Sequence, residues 1–246
     1  MKLLSNLLTG LLLGSVFLPQ AYAAIALDRT RVIFDGGKNS MSLNIANKNK
    51  ELPYLAQGWI EDASGNKIDS PLIVLPPLQR MEPAAKSQVK IQTLPAINQL
   101  AQDKETLYYF NLREIPPRSN KANTLQIALQ TRIKMFYRPH ALIKNAMEMI
   151  DTWKQDITLT REGGKYRVNN NSPYFFTVAT VMSGGKDVSG MKPVMIAPKS
   201  SELLSASADN IGSAPALTFI NDYGGRPTLT FHCAGANCRV AEYKEG

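Results

Sequence analysis

The stretch Thr124-Leu-Gln-Ile-Ala-Leu-Gln130 alternates aliphatic residues with small or polar ones. Because side chains in a β-strand point alternately to its two faces, Leu125, Ile127 and Leu129 fall on one face of a predicted strand. Such a strand either packs this row into the core of its own domain or is an edge strand that lends the row to another protein. The alternation alone leaves both interpretations open.

Similar runs of β-branched and aromatic residues recur along the chain, separated by Asn, Gly and Pro. They predict strands at Met41–Ala46, Tyr54–Ile60, Ser87–Thr93, Thr106–Ile115, Leu125–Tyr137, Asp156–Thr160, Tyr174–Val181 and Pro227–Phe231. Some helical periodicity is present at Leu94–Gln102 and Ala141–Lys154. This spacing is typical of β-sandwiches rather than βαβ units, so we expect an all-β protein. A boundary after Arg138-Pro139 predicts two domains, over residues 24–142 and 143–246.

The N-terminus resembles an export signal. Met1-Lys2 supplies a positive charge, Leu3–Leu18 is apolar and uncharged, and Ala21 and Ala23 form the small-residue pattern that signal peptidase needs. We expect residues 1–23 to be a signal peptide that is removed after Ala23. A membrane anchor is the alternative, but the apolar stretch is short for a span of about 20 residues. The mature protein is therefore expected to be exported.

The charge balance excludes little by itself. Among 246 residues, Lys and Arg number 28 and Asp and Glu number 20, so the net charge is +8, and it falls to +7 when Lys2 leaves with the signal peptide. The basic residues are dispersed without a Lys or Arg run. A basic surface is thus favoured over nucleic-acid binding, which export also argues against.

Cys233 and Cys238 are the two cysteines of the chain, with a turn-like Ala-Gly-Ala-Asn between them. An oxidising compartment permits a disulfide between them, and so short a loop contributes about 2 kcal/mol. A structural metal site would need more ligands, and a redox site would more naturally use C-x-x-C. We expect a structural disulfide.

Searches for catalytic motifs fail: the sequence has no nucleophile elbow, phosphate-binding loop, dinucleotide fingerprint or zinc-protease motif. Neither His140 nor His232 has a third group to orient it, and Glu105 and Asp222 form a carboxylate pair only in principle. We therefore expect a binding protein that is not an enzyme and needs no cofactor or metal. An exported enzyme and an adhesin or carbohydrate-binding module are the competing classes.

Several longer stretches point to one family. The most specific is Leu100-Ala-Gln-Asp-Lys-Glu-Thr-Leu-Tyr-Tyr-Phe-Asn-Leu-Arg-Glu-Ile-Pro-Pro117. Around it stand Leu27-Asp-Arg-Thr-Arg31, Leu52-Pro-Tyr-Leu-Ala-Gln57, Leu125-Gln-Ile-Ala-Leu-Gln-Thr-Arg-Ile-Lys-Met-Phe-Tyr-Arg-Pro139 and Ile220-Asn-Asp-Tyr-Gly-Gly-Arg-Pro227. Over nearly the whole mature chain, the sequence resembles the periplasmic chaperones of the chaperone–usher pilus pathway.

The resemblance implies two immunoglobulin-like β-sandwich domains in an L-shaped arrangement, with a cleft between them. It implies a periplasmic chaperone that binds, folds and caps pilus or fimbrial subunits and delivers them to an outer-membrane usher. Leu125, Ile127 and Leu129 would be the donor residues that fill the groove of a subunit lacking its last strand. No membrane insertion is expected after signal cleavage.

The resemblance also assigns charged residues. Arg31 and Lys134 match two cleft cations that bind the C-terminal carboxylate of the subunit through charge-assisted hydrogen bonds. Glu105, Arg138 and Asp222 match a charge network between the domains. Without the resemblance, solvated surface charges are the favoured interpretation of Arg31 and Lys134, and three unrelated surface charges are the alternative for Glu105, Arg138 and Asp222.

Two backbone irregularities are expected. Strict alternation places Leu129 and Lys134 on opposite faces, so a bulge or a strong twist is expected between them. Leu75-Pro76-Pro77 is a candidate for a cis peptide bond.

Overall fold

The computed structural model describes residues 24–121 and 123–246. The expected signal peptide, residues 1–23, lies outside the described residues. In the described part of the chain, no helix combines the length and the apolar character needed to cross a membrane. The expected all-β fold is confirmed, and the two cores are drawn from residues 25–137 and 149–238. The boundary between residues 142 and 143 stays a prediction.

The first domain is a sandwich of two sheets. Its strands are β1 (Ile25–Leu27), β2 (Arg31–Asp35), β3 (Ser40–Asn47), β4 (Tyr54–Glu61), β5 (Lys67–Ile68), β6 (Leu72–Leu75), β7 (Leu78–Met81), β8 (Lys86–Thr93), β9 (Thr106–Ile115) and β10 (Gln130–Arg138). One sheet has the order β1-β3-β8-β6, and the other has the order β2-β10-β9-β4-β5, with β7 also paired to β4. Short 3-10 helices cover Pro95–Gln99 and His140–Leu142.

The core of the first domain lies between these sheets. Alternate residues of each strand point inward, so Leu43 and Ile91 of one sheet meet Phe110 and Met135 of the other. β2 pairs with β10 in parallel, whereas β9 pairs antiparallel with both β10 and β4. The peptide bonds Ser70–Pro71 and Leu75–Pro76 are cis, and the second of them lies in the candidate stretch Leu75–Pro77.

The second domain contains the remaining elements. They are α1 (Ala146–Asp156), β11 (Ile157–Glu162), β12 (Lys165–Asn170), β13 (Phe176–Ser183), β14 (Lys186–Asp187), β15 (Val194–Ile196), β16 (Ser200–Ser207), α2 (Ala208–Ile211), β17 (Ala216–Phe219), β18 (Thr228–Ala234) and β19 (Asn237–Lys244). The sheet order is β14-β13-β17-β18-β19-β11-β12-β16, with β15 paired to β13.

Helix α1 occupies most of the stretch with helical periodicity. It begins with a capping box, in which the Asn145 side chain accepts from the Glu148 amide at 3.0 Å and the Glu148 side chain accepts from the Asn145 amide at 2.9 Å. Trp153 of α1 packs against Phe176 and Phe219, with ring centroids 5.4 and 5.7 Å away. This aromatic group anchors the helix on the core of the second domain.

The expected disulfide joins Cys233 and Cys238. These residues pair across the β18–β19 hairpin, one step before the turn. The bond therefore closes the end of that hairpin, and none of the described cysteines is free.

Candidate functional site: two cations beside an exposed aliphatic segment

Arg31 and Lys134 are brought together by the parallel pairing of β2 with β10. They are partners at the first step of that ladder. Val32 and Met135, the next residue of each strand, are buried in the domain core. Alternation therefore places both cations on the opposite, outward face of the sheet.

Neither cation has a carboxylate partner among the described residues. Arg31 donates from Nη1 to the Ile220 carbonyl of the second domain at 3.0 Å. No ion pair joins Arg31 or Lys134 to an acidic side chain in residues 24–121 or 123–246. Two half-buried positive charges on adjacent strands form a site that fits an anion.

The surroundings of each cation disfavour its charged form. Burial lowers the pKa of Arg31, although Asp222 and Glu105 partly offset this effect. Burial, and then the charge of Arg31, lowers the pKa of Lys134. An anion placed between the two side chains would oppose both effects.

The predicted donor residues lie on the surface. Leu125 is 84%, Ile127 is 65% and Leu129 is 42% exposed. The strand was predicted from Leu125, but β10 begins at Gln130, and residues 124–129 belong to no strand in the structure. The aliphatic row therefore does not enter the core of its own domain.

One edge of this segment is unoccupied. β10 pairs with β9 from Gln130 onward, and the Leu129 carbonyl extends the ladder by accepting from the Glu114 amide at 3.0 Å. On its other side, β10 meets β2 only from Lys134 onward. Residues 130–133 and the preceding segment thus present a free edge among the described residues.

Between Leu129 and Lys134 a bulge or a strong twist was expected; the bulge is absent from the described ladder, so that alternative was wrong, while the twist stays a prediction. The β9–β10 register is one-to-one from Gln130 to Tyr137. No bulge is needed because the aliphatic row and the cation serve opposite faces of one regular strand: Ile133 packs on the core, and Lys134 points to the outward face.

The side chain of Gln126, which alternates with the aliphatic residues of the segment, contacts the loop that contains Pro117 and Ser119. The Gln126 side-chain amide donates to the Pro117 carbonyl, and its oxygen accepts from the Ser119 amide at 3.3 Å. The polar positions of the alternating stretch therefore interact with the protein itself, while the aliphatic positions point away from it.

The structure brings Glu105, Arg138 and Asp222 together between the domains. Arg138 donates from Nη2 to Glu105 Oε1 at 2.7 Å and from Nη1 to Asp222 Oδ2 at 2.7 Å. The second Glu105 oxygen accepts from the Phe175 amide at 2.7 Å. The network therefore links the ends of β9 and β10 to two loops of the second domain.

Burial raises the pKa of Glu105 to about 7, while Arg138 and the Phe175 amide act in the opposite direction. The charge of this carboxylate depends on both donors. Nearby, Phe136 packs against Phe175 with ring centroids 5.3 Å apart. The contacts of Phe136, of the Phe175 amide and of the Ile220 carbonyl were not predicted from the sequence, because the signature stretches carry no sign of which backbone groups they meet.

The two carboxylates and His140, considered above as catalytic candidates, contact charged side chains of the described residues. Glu105 and Asp222 both accept hydrogen bonds from the Arg138 guanidinium. His140 contacts Asp35 on the surface at 3.1 Å. The described residues contain no group of three or more His, Cys, Asp or Glu side chains that could hold a metal ion.

Comparison with known proteins follows the same division of the chain. Residues 24–143 match the family model described as the pili and flagellar-assembly chaperone, PapD N-terminal domain, and residues 152–231 match the pili assembly chaperone PapD, C-terminal domain. The chaperone protein PapD of Escherichia coli is 49% identical over 91% of this chain and 92% of its own length. The probable fimbrial chaperone YfcS of Escherichia coli K12 is 48% identical over 90% and 88%.

A solved structure agrees with these relatives. The crystal structure of the periplasmic chaperone SfaE superposes with a TM-score of 0.66 at 29% identity, covering 90% of this chain and 98% of that one. The immunoglobulin-like fold and the family expected from the sequence are therefore confirmed. This chain belongs to the PapD family of pilus-assembly chaperones.

Proposed function

We propose that the protein is a periplasmic chaperone that binds, folds and caps pilus subunits by lending them the strand around Leu125, Ile127 and Leu129. One observation carries the proposal: an exposed aliphatic row ends beside two cations that form no ion pair with the described residues. The family consists of assembly chaperones rather than enzymes, and this favours the proposal over an exported adhesin or carbohydrate-binding module.

The free edge also sets the direction of the client strand. β2 runs parallel to β10 and begins at Arg31. A client strand could pair with the free edge of β10 in line with β2, just before the start of β2. If this client strand runs parallel to β10, its C-terminal carboxylate lies at Arg31 and Lys134. An antiparallel strand would bring its amino terminus to the two cations, which would repel it. We therefore expect parallel pairing with a bound C-terminal carboxylate.

The binding energy is sufficient without a nucleotide. Burial of three aliphatic side chains is worth roughly 5–9 kcal/mol before the costs of association. Main-chain hydrogen bonds along the free edge align the client strand with β10. The bound carboxylate then sets the register, that is, which client residue lies opposite each donor residue. A second subunit with a better-fitting strand can then displace the chaperone.

The proposed periplasmic location and the proposed usher partner are supported by other observations. The expected signal peptide and the disulfide favour export, and the structural relative SfaE is itself named a periplasmic chaperone. Delivery to an outer-membrane usher rests on the family resemblance. The Glu105–Arg138–Asp222 network would hold the angle between the domains, so that both sides of the cleft face one client.

The proposal is tested by refolding a pilus subunit of a PapD-family system in the presence of the chaperone and isolating the complex by gel filtration. Amide hydrogen exchange should show new protection over residues 124–133 and none over the β18–β19 hairpin. A subunit extended by three residues at its C-terminus should fail to bind, because its carboxylate misses the two cations. Equal binding of the extended subunit, or protection elsewhere only, would overturn the proposal.

A further inference from the structure

A cavity of about 420 Å³ adjoins Arg31 between the domains. It is lined on one side by residues that precede and begin β2, and on the other by Ile143, Lys144 and the loop that carries Tyr223. The terminal carboxylate of a client would occupy only a small part of this space. The remainder is open to a side chain of the same client.

The apolar part of the lining is unusually exposed. Tyr223 is 86% exposed and Ile143 is 40% exposed, and Ile33 of β2 also lines the cavity. Large apolar side chains left in water next to a binding site commonly mark part of an interface, and tyrosine is frequent among residues that dominate binding energy.

Hydrogen bonds to Asn221 fix the backbone of the loop that carries Tyr223. The Asn221 side-chain oxygen accepts from the amides of Tyr223 at 3.1 Å and Gly225 at 2.8 Å, and the Asn221 carbonyl accepts from Gly224. Gly224 has a φ of +84°, and a β-carbon there would lie 2.7 Å from Thr30 Oγ1. Only glycine allows this close approach without strain, so the turn is seated against the first domain.

The charged lining of the cavity is largely occupied already. Arg29 pairs with Asp28 at 2.8 Å, and Arg138 pairs with Asp222 at 2.7 Å. Lys144 donates to Thr152 Oγ1 at 2.6 Å. Arg31 remains for the carboxylate, and the surface left for a side chain is formed by Ile33, Ile143 and Tyr223.

We infer that these three residues form a specificity subsite that accepts a large apolar side chain, and an aromatic one best, on the C-terminal residue of the client. The inference rests on the proposed function, since Arg31 must bind the carboxylate for the subsite to lie beside the last residue. Tyr223 is thereby a specificity-determining residue supplied by the second domain.

The test uses the full chaperone and a fluorescent twelve-residue peptide of alternating valine and threonine. The last residue is Tyr, Leu or Gly, with the terminus free or amidated. Fluorescence anisotropy measures the dissociation constants for the natural protein and for Tyr223→Ala, Tyr223→Phe and Arg31→Ala. Leu203→Ala is the matched control, because Leu203 is an exposed apolar residue of the same domain that does not line the cavity.

We expect the Tyr-ended peptide to bind about tenfold more tightly than the Gly-ended one. This preference should fall below twofold in Tyr223→Ala and persist in Tyr223→Phe and Leu203→Ala. If binding needs the free carboxylate and Arg31 but ignores the last side chain, or if Tyr223→Ala keeps the preference, the subsite is refuted and the proposed function stands. If amidation and Arg31→Ala leave binding unchanged, the proposed function fails, and the subsite fails with it.

Discussion

Arg31 and Lys134 lie opposite each other at the first step of the only parallel strand pair among the described residues of the first domain. Arg31 raises the cost of charging Lys134, and neither cation meets a carboxylate of the described residues at ion-pair distance. A like-charge pair of this kind is unfavourable in the free protein and becomes favourable when an outside anion joins it. Selection for such a pair is understandable if the protein exists to bind an anion.

Replacement of either cation should abolish client capture without unfolding the protein. Arg31→Ala or Lys134→Ala removes half of the carboxylate site and also relieves repulsion, so the free energy of unfolding should change by at most about 1 kcal/mol. Gel filtration of the mixture with refolded subunit measures capture, and urea denaturation measures stability. Lys90→Ala, which removes an exposed lysine of β8, is the control and should capture normally. Co-elution of subunit with both cleft variants would contradict the anchoring role.

Capture should weaken at alkaline pH. Because burial and Arg31 lower the pKa of Lys134, its ammonium group loses a proton at a pH below the ordinary lysine value of 10.5. Binding is therefore complete below the lowered pKa and declines as the pH rises through it. In Lys134→Arg the decline should move to higher pH, since guanidinium stays charged. Identical pH profiles for the two proteins would show that Lys134 is not the titrating group.

The donor row should tolerate a charge in the free protein but not in the complex. Ile127→Asp places a carboxylate where the side chain is 65% exposed, so the melting temperature of the chaperone should barely change. In the complex, the same carboxylate would be buried in an apolar groove, and affinity should fall at least a hundredfold. Ala128→Asp is the matched control on the opposite face of the segment and should bind nearly as well as the natural protein. A large stability loss in Ile127→Asp would assign this side chain to the chaperone core instead.

Removal of one member of the interdomain charge network should lower the stability of the protein. Arg138→Ala leaves Glu105 buried without its partner and should destabilise the protein by about 3–5 kcal/mol. Glu105→Gln should cost less, because its amide oxygen can still accept from the Phe175 amide. Small-angle scattering should show a wider spread of domain orientations in Arg138→Ala. A variant with natural stability and scattering would remove the network from any role in holding the domains.

The disulfide should matter for stability and not for the cleft. Replacement of Cys233 and Cys238 by serine opens a short loop and should lower the free energy of unfolding by about 2 kcal/mol. Peptide binding through Arg31 in the first domain should be unchanged. Lost peptide affinity in a variant that remains folded would mean that the hairpin end is coupled to the cleft.

Strand positions were largely predictable because alternation is a local property of the sequence. The prediction Thr106–Ile115 coincides with β9, and Met41–Ala46 lies within β3. The start of β10 was missed because alternation says which face a side chain takes but not whether a neighbouring strand exists to pair with. Leu125 alternates correctly and still has no strand partner.

Contacts between the domains were less predictable for a different reason. The Arg31 guanidinium is held by the carbonyl of Ile220, and Glu105 by the amide of Phe175. Every residue has a backbone carbonyl and every residue except proline has a backbone amide N–H, so residue type gives little sign of these contacts. The start of α1 did carry a signal, the Asn145-x-x-Glu148 capping box, which reasoning from periodicity alone overlooked.

The one-to-one register of β10 has a consequence for how a client would fold. Leu125, Ile127 and Leu129 share a face with Ile133 and Met135, and the last two already belong to the chaperone interior. If a client covered the first three side chains, its core and the chaperone core would be joined in one continuous hydrophobic layer along this face of the strand. Because the chaperone residues of this layer are already folded, only the subunit chain would lose conformational entropy when the two cores join.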